Sequence, residues 1–563
     1  VYAEAIKTFD RLAESEKSSL RLRALRKAMD AAFIKGDKPD LLLVYAKKAE
    51  ELALDDRLEM GRVISNRGRA FAWAGRGERK QDLTDYETAL QIFEEENSLA
   101  DVAEALWRIG EACFRPEGLG YLLRSRAIFR ELGDARKEIV LSRCIGGAFI
   151  FLSLFEEAER ELGDVLRNAE KFGVFDELAR ATAMLGLLDQ YKGKYVEAVY
   201  KVLKALEYIE KTDVNYVRSF NLGALTRLYS KLGDLKRADE YFDKITKLPS
   251  RVLSTGMVSF NVALAKGVYF AAKGKWKESN QIFEALPASL LENSPFIREY
   301  IWALEKQGRT EEAKVLSNKG QKIVEQNKKW LKHANMQLSV MAPRKVLSGE
   351  VFKIRLHIIN VAKNLRTLVK LKGLMPLGSK IISLPSFCSI QNNSINLNNQ
   401  VIGPFQVETI KINMSYASAG VYHLEPRLYY NTELRKCKSN KAKPVTIAVQ
   451  LGSSEEKTKS AKLSKDKLEF KSEVAERVFS YLASVFRRDY LKSRMPMEKS
   501  GWRTLMEVVR NAKVTKYSMY GRSGRGGKVT AELANLGVVE SRFFLRERGR
   551  GGRVLKMRIS YEK

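Results

Sequence analysis

The residues best suited to chemistry lie near the end of the chain. Arg522 and Arg525 stand in the run Arg522-Ser523-Gly524-Arg525-Gly526-Gly527, and Arg546, Arg548, Arg550 and Arg553 are interleaved with Glu547, Gly549, Gly551 and Gly552. A guanidinium forks onto phosphate oxygens and is drawn into narrow minor grooves. Glycine between such residues lets the backbone turn tightly. Lys528, Thr530 and Asn535 follow the first cluster, in a segment whose apolar residues Val529, Leu533 and Leu536 have helical spacing. The chemistry implied is contact with a polyanion.

Other chemistries find little support. His333, His357 and His423 are isolated from one another, and Cys113, Cys144, Cys388 and Cys437 lack metal-ligand spacing. No Gly-x-x-x-x-Gly-Lys-Ser/Thr loop, serine elbow or His-Glu-x-x-His motif occurs. The expectation is a protein without catalytic residues, cofactor or metal. Four cysteines in 563 residues fit a reducing compartment. The most apolar stretch, Ile145 to Phe155, is shorter than the ~20 residues a membrane helix needs, so no membrane partner is expected.

The location of the charge supports the same ligand. Residues 1–330 hold 55 Lys+Arg against 51 Asp+Glu, residues 331–452 hold 17 against 4, and residues 453–563 hold 27 against 13. Nearly all of the net +31 therefore sits in the C-terminal 40% or so of the chain.

Three kinds of pattern position these residues. From residue 1 to about 330 apolar residues recur at spacings of three and four, as in Leu178, Ala181, Leu185 and Leu188, and glycines punctuate between helices at Gly75, Gly193, Gly233, Gly274 and Gly308. The units repeat: Gly146, Gly186, Thr226 and Gly267 are spaced by 40, 40 and 41 residues, and Ala158, Ala198 and Ala238 by 40. Small residues there let two helices approach, with Leu162, Val202, Phe242 and Phe283 beside them. The stretch Leu222, Leu225, Tyr229, Gly233-Asp234, Ala238, Phe242, Pro249 resembles a tetratricopeptide repeat in a loose form of about 40 residues. The resemblance spans roughly residues 40–325 and implies a superhelix with a concave groove that binds protein partners. Ser279 in place of the small Ala, and Arg115-Pro116 in one turn, depart from the motif.

Residues 335–451 change to period two. Phe352, Ile354, Leu356 and Ile358 are expected on one face, with Lys353, Arg355 and His357 on the other. Ile410, Ile412 and Met414 repeat the pattern, as do Tyr422, Leu424, Leu428 and Tyr430 and then Val445 to Leu451. A β-sandwich is expected, acting as a spacer with contacts or extending a basic surface. The segment from Ala419-Gly420-Val421-Tyr422 to Tyr430 resembles the late hairpin of immunoglobulin-like sandwiches. Residues 452–470 read as a charged linker.

Residues 471–563 are expected to form a leading helix (473–491), a second through Ala512, a short one at Tyr517–Gly521, a third at Lys528–Leu536, and two strands, Val538–Leu545 and Val554–Tyr561. The order, with Ala531-Glu532-Leu533 through Leu536-Gly537-Val538-Val539-Glu540, resembles winged helix-turn-helix domains, especially archaeal ones. That resemblance implies a third helix in the major groove of double-stranded DNA and a hairpin on a neighbouring groove or backbone.

The fold expected is multidomain: an all-α tetratricopeptide-like superhelix, an all-β sandwich and an α+β winged helix. The function expected is that of a DNA-binding regulator in the cytoplasm, associated with the nucleoid, which recruits a protein through its solenoid. Two alternatives stand beside it. One is a scaffold whose basic domains bind proteins. The other is the sensor portion of a signalling protein with a further domain upstream of Val1.

Overall fold

The computed structural model describes residues 18–35, 39–53, 56–74, 79–113, 116–210, 215–253, 256–287, 296–433 and 436–451, and the strands 514–521, 527–533, 537–548 and 552–561. The chain divides into two compact units, Val1–Leu451 and Gly452–Lys563.

The first unit begins as a helical-repeat solenoid from Ser18–Lys35 to Thr310–His333. Its first helices at Ala135–Phe151, Phe175–Tyr191, Asn215–Leu232, Gly256–Ala272 and Ile297–Lys306 recur every 40 residues or so, each followed by a second helix. Between helices the chain reverses through glycines with φ of 77° at Gly193, 79° at Gly233 and 72° at Gly274. Each is the left-handed residue after a helix, where a Cβ would be strained. Asp134 and Asp234 then cap the next helices, accepting from Lys137 N and Arg237 N at 3.0 Å.

The small residues sit where helices touch. A Cβ added at Gly146 would stand 2.7 Å from Leu162, at Gly186 2.8 Å from Val202, and at Gly267 2.7 Å from Phe283. Ala158, Ala198 and Ala238 are fully buried. Ser279 fits the same slot because its hydroxyl donates to Gly267 O at 2.8 Å.

The strands from Gln337 to Gln450 form several sheets: one ordered Gln337–Met341, Phe352–Asn360, Gln406–Tyr416, Ser379–Ser383; one ordered Gly420–Leu424, Val445–Gln450, Lys345–Leu347; and one ordered Cys437–Lys441, Arg427–Asn431, Arg366–Lys372, Ser394–Asn396, Ser389–Gln391, with Val401–Ile402 on its third strand. All three contribute to one core, including Ile354, Leu356, Leu368, Leu371, Ile412, Leu428, Tyr430 and Ile447. Gly420–Leu424 and Arg427–Asn431 do not continue one another. The chain breaks at Glu425-Pro426 and the two enter different sheets, the first pairing with Val445–Gln450 and the second with Arg366–Lys372.

This region is fastened to the solenoid. Leu331, Ala334, Ile359, Val361, Ala362 and Phe405 join the helical core, and Phe149 lies 4.9 Å from Phe405. Tyr430 donates to Asn335 Oδ1 at 3.1 Å, and Arg355 and Lys411 reach Glu131 at 3.3 and 2.8 Å. Lys363 pairs with Glu157 and Arg344 with Glu95. His357 is on the face opposite the sheet core, as its parity requires, and it is fully buried, because the Pro116–Glu131 helix covers that face.

In the second unit the described strands form one antiparallel meander, Val514–Gly521, Gly527–Leu533, Gly537–Arg548, Gly552–Tyr561. The last two occupy the positions expected for wing strands. The helices expected at Tyr517–Gly521 and Lys528–Leu536 are corrected: strands occupy 517–521 and 528–533, and the rest of the second lies outside the described residues. Val529, Ala531 and Leu533 alternate with Lys528, Thr530 and Glu532, and pairing on both sides satisfies the backbone of this stretch. The expected linker and the helices at 473–491 and 501–512 lie outside the described residues.

Candidate functional site

A polar seam runs along the first helices of the solenoid. Arg143 on Ala135–Phe151 donates to Glu177 on the next first helix at 2.5 Å, both buried. Arg227 donates to Asn261 Oδ1 at 2.8 Å, again to the next first helix and again 34 residues on. Burial pushes the Glu177 carboxyl up, but Arg143 and Arg180 outweigh it and hold it below the ordinary carboxylate value.

The seam closes where non-adjacent units meet. Glu299, on Ile297–Lys306, is 1% exposed. It pairs with Lys231 Nζ at 2.8 Å, faces Arg227 Nε at 3.7 Å, and accepts from Gln190 on Phe175–Tyr191. Arg298 donates to Tyr191 O at 2.9 Å, and Phe151 lies 5.8 Å from Phe296. Burial raises the Glu299 carboxyl, and Lys231, Arg227 and the Gln190 amide reverse the shift, so it stays ionised. Tyr191 Oη beside this centre, and Asn221 Nδ2 and Ser230 Oγ on Asn215–Leu232, are buried with no hydrogen-bond partner among the described residues. Asn261, 40 residues after Asn221, is fully engaged: it accepts from Arg227 and its amide points to Ser219 O at 3.4 Å.

An amide donor and two hydroxyls are thus left without partners on Phe175–Tyr191 and Asn215–Leu232, and each keeps an unused hydrogen-bonding capacity. Sequence reasoning named none of them. The available signal was the 40-residue spacing of Asn221 and Asn261. Among the described residues no group of His, Cys, Asp and Glu could hold a metal ion, and no helix is long and apolar enough to cross a membrane.

The residues expected to meet nucleic acid are spread along the meander. Lys528 and Thr530 are on its second strand, in register with Arg542 and Glu540 of the third. Arg546, Arg548 and Arg553 flank the last turn, Arg546 opposite Val554, Arg548 opposite Gly552, and Arg553 opposite Glu547. The backbone thus brings these three to one hairpin. Arg522, Arg525, Asn535 and Arg550 lie outside the described residues.

No protein-family model matches the chain, and no curated protein matches it. Solved structures similar to it include a Rap protein complexed with competence and sporulation factor, at 15% identity over 58% of this chain and 98% of the other, with a TM-score of 0.46. Aspartyl phosphate phosphatase F from Bacillus subtilis is 13% identical over 58% of this chain and 91% of its own, with a TM-score of 0.39. A signal transduction ATPase with a tetratricopeptide repeat sensor from Pyrococcus horikoshii is 17% identical over 53% and 46%, with a TM-score of 0.30.

Proposed function

We propose that the chain is a non-enzymatic regulatory adaptor. Its tetratricopeptide-like solenoid docks an extended segment of a protein partner along the polar seam, its β-rich region is an immunoglobulin-like mount, and its basic C-terminal unit contacts double-stranded DNA. The observation that carries the docking part is the trio of buried, unpartnered groups on Tyr191, Asn221 and Ser230. A random peptide library displayed against the full chain tests it. Selected peptides should lose about tenfold in affinity on Asn221→Ala. Peptides indifferent to both Asn221→Ala and Tyr191→Phe would overturn the docking site.

The DNA part rests on the excess of 27 Lys+Arg over 13 Asp+Glu in residues 453–563 and on the hairpin that gathers Arg546, Arg548 and Arg553. Replacing those three by Ala in the full chain should lower the salt dependence of duplex binding by roughly 2.7 in log–log slope, about 0.9 for each lost phosphate contact. A second reading, a scaffold whose basic unit binds proteins, draws support from the strand found where a recognition helix was expected. It predicts an unchanged duplex slope.

A further inference from the structure

The sheet that ends in Cys437–Lys441 has one face in the core and one open. Leu428, Tyr430, Leu368, Leu371 and Ile395 point inward and are fully buried. Register places Lys441, Arg427 and Lys372 side by side on the other face, and Tyr429 beside Lys370 in the next row, with Asn396 beyond. The rows are about 7 Å apart and each strand adds about 4.8 Å. No Asp or Glu occurs in any strand of this sheet. Elsewhere in the β-rich region Arg344, Arg355, Lys363 and Lys411 are paired with solenoid carboxylates. Among the described residues, Lys370, Lys372, Arg427 and Lys441 make no ion pair.

From this we infer that the open face is a binding surface for single-stranded nucleic acid, separate from the C-terminal hairpin and independent of the function proposed above. The four cations supply phosphate contacts. Tyr429 supplies the element that selects among polyanions: its ring is half-buried on the open face, with Lys370 and Lys372 ammonium groups 5.5 and 5.8 Å from its centroid. A splayed base stacks on such a ring, whatever its identity. A duplex keeps its bases stacked within the helix and offers the ring nothing. An acidic peptide uses the cations but leaves the ring idle. The bulge at Tyr429/Tyr430 puts Lys370 opposite Tyr429 while Leu368 stays in the core opposite Tyr430, so the strand presents both lysines near one ring without losing its buried side.

The test uses the full chain with Arg546, Arg548 and Arg553 replaced by Ala, so that the other basic hairpin is quiet. The probe is a fluorescein-labelled 20-mer of thymidine, read by anisotropy against a duplex of equal length and a poly-glutamate competitor. Tyr429→Ala should weaken the 20-mer about tenfold, and Tyr429→Phe should bind as the parent does. Lys370→Ala with Lys372→Ala should reduce the salt slope by about 1.4. The exposed thiol of Cys437, in register with Asn431 on the same face, should alkylate more slowly when the 20-mer is bound. The double lysine variant and the Cys437 protection keep the test decisive should Tyr429→Ala not fold. The inference is overturned if a folded Tyr429→Ala, or the double lysine variant, binds the 20-mer as the parent does. It is also overturned if poly-glutamate competes as well as the 20-mer at equal charge, which would make the partner an acidic protein.

Discussion

The seam of the solenoid and the open face of the six-strand sheet both concentrate charge, and they handle it in opposite ways. Around Glu299 the charges are buried and matched, one carboxylate among Lys231, Arg227 and the Gln190 amide. On the sheet, Lys441, Arg427 and Lys372 stand adjacent with no carboxylate in the strands. The first arrangement is costly to break, because desolvation has already been incurred and only the partner offsets it. The second is costly to keep, because like charges directly across strands repel. A fold tolerates the second where water and counter-ions screen it or a ligand neutralises it.

The sharpest way to break this comparison is Glu299→Gln. It leaves Lys231 and Arg227 buried beside a neutral amide and should destabilise the solenoid by about 3–5 kcal/mol, read as the urea midpoint of the helical circular dichroism signal. The pair Glu299→Met with Lys231→Met should recover much of that loss. If the single substitution costs no more than a surface change, the seam is not the anchor described. Acid should act in the same direction. A carboxyl held below its ordinary value of 4.5 contributes stability above that pH and loses it as the pH falls through the folded value.

Between the two regions lies a site of intermediate character. His357 is buried where the Phe352–Asn360 strand meets the Pro116–Glu131 helix. Arg124 Nε is 3.5 Å from its Nδ1, Arg355 and Lys411 are nearby, and Glu131 and Glu94 serve the cations. Burial, then Arg124, Arg355 and Lys411, hold the imidazole well below its ordinary value of 6.5. Above pH 6.5 it is neutral in both folded and unfolded chains and adds nothing to the pH dependence. Below pH 6.5 the unfolded chain takes up a proton that the folded chain refuses, so stability falls by up to about 1.4 kcal/mol per pH unit until the folded value is reached. Urea midpoints at pH 7, 6 and 5 should show this slope in the parent and its loss in His357→Asn. Equal slopes would mean that the helix does not seal this face.

How much of this was legible follows from the range of the interactions. The solenoid repeats locally, so Gly146 facing Leu162 and Gly267 facing Phe283 could be read from spacing alone. His357 could not. Its alternation with Ile354, Leu356 and Ile358 fixes its face, but the helix that covers that face is 233 residues away. Glu299 was hidden for the same reason, its Gln190 partner being 109 residues distant. The segment Lys528–Leu533 was read with the wrong period. Val529 and Leu533 suit a helix at spacing four, and Val529, Ala531 and Leu533 equally suit a strand. Only the pairing with Val514–Gly521 and Gly537–Arg548 decides between them.

The smallest effect discriminates best. Lys372 is exposed and lies opposite Arg427, which lies opposite Lys441. If the row is held against its own repulsion, Lys372→Thr should stabilise the β-rich region by about 0.2–1 kcal/mol, since it removes a like-charge neighbour and adds a residue that favours strands. The two causes separate with salt. The electrostatic part shrinks as ionic strength rises, because exposed charges are screened beyond about 8 Å at 0.15 M, whereas the strand preference persists. A rise in the urea midpoint that is largest at low salt shows that the fold carries a strained row of cations on its open face. No rise at low salt would mean that the lysines are merely solvated, and the contrast with the matched charges around Glu299 would lose its force.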